Sequence, residues 1–181
     1  MPLLSARPLA AVPIHDAEPC WRRPDPRLFA RDLADLGPLF CAWSQTRPGP
    51  SARAATIAEG GPDGRVLATP GCIAHACAVT SEGPREWITV HDLAGVPRCR
   101  LYLLPDTDYL AWDALLSHAV ATAPPEPPRP WRARCGRRLR FEVDAVGPWS
   151  LVCARTAAPD CALSWRTVRE LVRTEGVALV T

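Results

Sequence analysis

The chain has 181 residues, of which 48% are apolar and 22% charged, and its formal net charge is +2. This balance excludes a disordered chain and a strong global attraction to nucleic acid, and it suits one domain with a real core. All 21 basic residues are arginine, which excludes Schiff-base and other lysine-dependent chemistry.

Residues 1–24 read as an extended N-terminal arm, and residues 25–181 as a single domain. The opening "MPLLSARPLAAVPIHDAEP" is interrupted by prolines and lacks a positive n-region, so it does not read as a signal peptide. No apolar run approaches the roughly 20 residues that span a bilayer, and no membrane partner is expected. The eight cysteines are therefore expected as reduced thiols. "DPRLFARDLADLG" predicts a helix: Asp25 caps it, Pro26 suits its first turn and Gly37 closes it. Leu28, Phe29, Leu33 and Leu36 form its apolar face. "PLFCAW" follows as a short strand, and residues 44–64 read as a loop rich in Gly, Pro and Ser.

From Arg65 the spacing predicts strands at "RVLAT", "CIAHACAVT", "EWITVHD" and "RCRLYLL", the last two as a hairpin. "PDTDYLAWDALLSHAVATA" then predicts a helix capped by Asp106, with Tyr109, Trp112, Leu116, Ala119 and Val120 on one stripe. A stiff proline-rich linker over 123–130 ends it. "RLRFEVDAV" and "WSLVCART" form a second hairpin around Gly147 and Pro148. Asp160 is expected to cap a last helix that carries Cys161, Trp165, Val168 and Val172 at helical spacing, and Gly176 to close it before a final "VALV". The order implies an α+β single domain with a largely antiparallel sheet and two or three helices packed on one side.

Cys72, His75 and Cys77 lie within six residues, all of them side chains that transition metals favour. In a strand, however, His75 and Cys77 point one way and Cys72 the other, and no second Cys or His pair completes a zinc set. Neither a metal nor another cofactor is expected; His75 and Cys77 are the candidates if one is held. No glycine-flanked serine, dinucleotide loop or phosphate loop occurs, and Asp106 and Asp108 sit where helix caps belong. No catalytic residues are assigned, and the chain is expected not to be an enzyme. "WRARCGRRLR" gathers Arg132, Arg134, Arg137, Arg138 and Arg140 beside Trp131. This basic patch reads either as a surface for acidic partners or nuclear import, or as a soluble strand edge. Any contact with nucleic acid would be non-specific.

With these elements in order, the chain resembles the small alphaherpesvirus protein family of the fifty-fifth unique-long gene. The resemblance is carried by "FCAWSQT", "ACAVTSEG", "RARCGRRLRFEV" and the C-x7-C of "CARTAAPDC", formed by Cys153 and Cys161. It departs where Val152 and Ala154 flank Cys153, and it does not extend to the first 35 residues. The resemblance implies a non-enzymatic accessory protein of the host nucleus, nuclear matrix and virion assembly sites. Its partners would be viral or host proteins, and tegument is a second location. A GC-rich viral genome would also explain the absent lysines. A local stretch, His75 to His118, is similar instead to bacterial haemin-utilisation proteins. That resemblance implies a haem or metal binder with His75 as ligand.

Overall fold

The computed structural model describes residues 18–44, 67–80, 83–127, 129–146, 149–158 and 161–179. The elements run β1 (Cys20–Arg23), α1 (Pro26–Asp35), β2 (Pro38–Ser44), β3 (Cys72–Thr80), β4 (Gly83–His91) and β5 (Pro97–Leu103). They continue with α2 (Tyr109–Ser117), β6 (Val120–Ala121), β7 (Ala133–Val146), β8 (Trp149–Thr156), α3 (Ala162–Glu175) and β9 (Ala178–Leu179). A nine-stranded sheet in the order β6-β1-β3-β4-β5-β2-β7-β8 organises the molecule, with β9 added parallel to β7. The other pairings are antiparallel.

The hairpin β4–β5 turns on residues 92–96. The Asp92 carboxylate accepts from the Ala94 and Val96 amides, both at 2.9 Å, and Gly95 takes φ 71°. The same carboxylate holds Arg98 at 2.6 Å, which ties the turn to the strand leaving it. The turns at 81–82 and 147–148, the loop over 45–66 and most of the arm lie outside the described residues. The described end of the arm forms β1, paired with β3 and β6.

Strand alternation sorts the core into two layers. In β2, Leu39, Cys41 and Trp43 join Ile73, Ile88, Val90, Leu101, Leu139 and Phe141 under α1 and α2. Phe40 and Ala42 point the other way and meet Tyr102, Leu104 and, from α3, Val168 and Leu171. All of β2 is buried, as a central strand covered on both faces must be. The α+β class stands, and two helices share one side of the sheet. The third, α3, covers part of the opposite side.

Local signals decide where the helices begin. Asp25 caps α1, accepting from Arg27 N at 2.8 Å, and Gly37 follows its end at φ 73°. Asp108, not Asp106, caps α2, accepting from Leu110 N and Ala111 N at 2.9 and 3.0 Å. Asp106 pairs with Arg138 instead. Cys161 caps α3, its sulfur accepting from Ser164 N at 3.3 Å, whereas Asp160 lies outside the described residues. Gly176 ends α3 in the left-handed region at φ 64°.

Three predicted patterns are corrected. Leu67 and Ala68 are helical where "RVLAT" reads as a strand. Along α2 the buried residues are Trp112, Leu115 and Leu116, while Tyr109 and Val120 are exposed. Along α3 they are Ser164, Thr167, Val168 and Leu171, so Cys161 and Trp165 fall outside the buried stripe.

Candidate functional site

The alternation that hides Ile73, His75 and Cys77 under α2 turns Ala78 and Thr80 of β3 to the opposite face. On that face Arg85 and Trp87 of β4 lie beside Arg100 and Tyr102 of β5, with Trp87 directly opposite Tyr102. The helix α3 crosses this face over β2 and leaves β3–β5 partly open. The result is a cleft of about 540 Å3 whose remaining walls are residues 131–133 and the last turns of α3, including Glu170 and Glu175.

At its centre Arg100 lies between two indoles, its guanidinium carbon 5.5 Å from the Trp87 ring centre and 4.8 Å from that of Trp131. Such cation–π contacts are strongest where water is excluded. Glu175 fixes the stack. It accepts from Arg100 Nη1 at 3.1 Å, from Trp131 Nε1 at 2.6 Å and from the Tyr102 hydroxyl. Arg100 Nε donates to Thr89 Oγ1 at 3.1 Å, so this guanidinium is committed within the protein. Burial first, and the Glu175 carboxylate next among the raising influences, push the Tyr102 hydroxyl well above its usual range, so it stays protonated.

Two further arginines face the cleft. Arg85 Nη2 pairs with Glu170 Oε2 at 2.6 Å, while its Nε is buried with no hydrogen-bond partner. Arg132 lines the mouth, is exposed, and has no ion-pair partner among the described residues. Three arginines against two glutamates leave one excess positive charge in the cleft. The arrangement can stack a flat ring and receive an acidic group.

The basic run at and just before β7 is thus divided. Arg132 belongs to the cleft, and Arg134, Arg137 and Arg140 are exposed along the strand. Arg138 is buried at 4% exposure, paired with Asp106 and donating to the Ala158 carbonyl, so it adds no surface charge.

His75 and Cys77 lie on the face away from the cleft. Glu86, the cross-strand neighbour of Cys77, takes His75 Nε2 at 2.7 Å and accepts from Trp112 Nε1 at 2.7 Å. Cys72 is buried on the other side of the strand, as alternation requires. Cys77 on β3 and Cys135 on β7 are four strand spacings apart, about 19 Å, and cannot share an ion.

Composition and motif gave no sign of Trp87, Arg100, Tyr102 and Glu175. The available signal was the period-two pattern: Trp87 and Thr89 on β4, and Arg100 and Tyr102 on β5, share one face.

No family model matches the chain, and no curated protein matches it. Among the solved structures it is similar to is a heme degrading enzyme, ChuS, of Escherichia coli O157:H7. The identity is 18% and the TM-score 0.46, over 62% of this chain and 38% of that one. Another is holo-PhuS, a heme-binding protein from Pseudomonas aeruginosa, at 20% identity and a TM-score of 0.42, again over 62% and 38%. The chain therefore matches well under half the length of either. The likeness is limited to the course of part of the chain. It corrects one expectation, that the chain is not an enzyme: one of these neighbours is a heme degrading enzyme.

Proposed function

We propose that this chain binds a small planar molecule carrying acidic groups, in the cleft between β3–β5 and the end of α3. The Trp87–Arg100–Trp131 stack, fixed by Glu175, carries the reading. Flat π faces favour offset stacking with another ring, and guanidinium groups pair with planar carboxylates through parallel hydrogen bonds. A volume of about 540 Å3 lies in the range of small-molecule sites. Haem, which PhuS binds, is the member of this class to test first.

The cleft's own residues supply the fit. Trp131 and Trp87 offer the flat surface, and the exposed Arg132 meets the propionates. Titration of the purified chain with haem should quench tryptophan fluorescence and saturate. Trp131→Ala and Arg132→Ala should each weaken binding about tenfold, the scale of one good polar or stacking contact. Saturable binding that neither variant changes would overturn the assignment of this cleft.

The alphaherpesvirus relationship, with its viral or host protein partners and a nuclear or tegument location, is a separate proposal about origin. Four sequence motifs support it, and the position of tagged protein in infected cells tests it. Signal spread through the cytosol, away from assembly sites, would count against it.

A further inference from the structure

We propose that the cleft recognises the plane and acids of its ligand without a protein ligand to a metal, so that iron-free and iron-bearing members of the class bind alike. This rests on the binding reading above and narrows it. A porphyrin's ring and propionates suit the two tryptophans and the arginines, but its iron meets no suitable donor.

Among the described lining residues there is no histidine, cysteine or methionine. The remaining side chains able to ligate iron are Tyr102 and the carboxylates of Glu170 and Glu175. Glu170 is paired with Arg85, and Glu175 accepts from Arg100, Trp131 and Tyr102, so neither carboxylate is free to take a metal. Tyr102 is 5% exposed, and its hydroxyl donates to Glu175, which occupies its proton-bearing edge. Tyrosine ligates iron as the phenolate, and that form is disfavoured here by burial and by the adjoining carboxylate. Arg100 Nη1 lies 3.5 Å from the hydroxyl and favours the phenolate, but burial outweighs it and the net shift is upward.

The histidine singled out by the sequence cannot reach the cleft. His75 projects from β3 on the face under α2, and the sheet itself separates it from Trp87 and Arg100. Its Nε2 is also taken by Glu86, which Trp112 holds in place. The site is therefore built for aromatic acids generally, and a metal adds nothing to recognition.

The test is a parallel titration of the full chain with haem, with iron-free protoporphyrin, and with protoporphyrin dimethyl ester, read by tryptophan quenching. Haem and the free acid should bind within about threefold of each other, and the ester at least about tenfold more weakly. The absorption band of bound haem should be unchanged in His75→Ala. Haem binding more than about tenfold tighter than the iron-free acid would overturn the inference while leaving the cleft assignment intact. So would loss of the haem band in His75→Ala. Failure of all three to bind would overturn the binding reading itself.

Discussion

Glu175 is the residue on which the cleft depends. A single carboxylate, 8% exposed, accepts from a guanidinium, an indole and a phenol. Removing it leaves three donors in a poorly hydrated place, and each unsatisfied buried donor costs about 1–3 kcal/mol. Glu175→Ala is expected to lower unfolding stability by about 3 kcal/mol and to release Trp131 from the stack; urea denaturation and the tryptophan emission maximum report the two effects. Gly71 is a second sensitive residue. A Cβ there would lie 2.3 Å from the Asp92 carbonyl oxygen and 2.7 Å from its carbon, which are backbone atoms that cannot swing aside. Gly71→Ala should therefore cost about 2 kcal/mol, with an unchanged urea m-value. His91, 5% exposed beside Trp21, carries a pH dependence. Burial is the largest influence and lowers its pKa to about 4 from 6.5. The unfolded chain takes up this proton near pH 6.5 and the folded chain only near 4. Stability from this group is thus complete above pH 6.5 and falls by about 3 kcal/mol on the way to pH 4. His91→Gln should flatten that part of the urea-midpoint profile; an unchanged slope between pH 6.5 and 5 would contradict the assignment.

At the level of elements, local chemistry sets the ends and tertiary packing sets the faces. Asp108→Ala should destabilise the chain by about 1 kcal/mol through loss of the α2 cap, whereas Asp106→Ala leaves buried Arg138 without its carboxylate partner and should cost more. Thermal unfolding of the two variants side by side checks the order. The helix starting at Asp25, the strands β3, β4, β5, β7 and β8, and both hairpins were legible because turn residues and period-two alternation bound them. The phase of α3 was not. Trp165 suggests a stripe with Val168 and Val172, yet Ser164 and Thr167 are buried and Trp165 is 37% exposed. Small polar side chains can lie under a helix that crosses a sheet, and composition alone does not reveal which side that is. The basic run was legible as a strand, but not which of its arginines is buried: Arg134, Arg138 and Arg140 share a parity, yet only Arg138 meets Asp106 and the Ala158 carbonyl, and Arg132 lines the cleft just before β7 begins. The cleft was the least legible feature, since Arg100 and Glu175 meet across 75 residues of sequence. His75 and Cys77 lie on the strand whose opposite face, through Ala78 and Thr80, forms one wall of the cleft.

Across the whole molecule, β2 and the apolar layer under α1 and α2 form a continuous core, and α3 closes only part of the second face. That incomplete cover leaves Trp87 and Arg100 on sheet strands, with Trp131 two residues before β7 and held by Glu175, which favours a preformed site. With a net charge of +2, attraction of an acidic ligand must come from the cleft itself. Raising salt from 0.05 to 0.5 M should then weaken binding only a few-fold, since it screens the exposed Arg132 far more than the desolvated stack. A crystal structure of the chain with iron-free protoporphyrin would show which face of the sheet holds the ring. The ring should lie against Trp131 or Trp87 with a propionate at Arg132; a ring bound on the other face of the sheet, beside His75 and α2, would contradict the account.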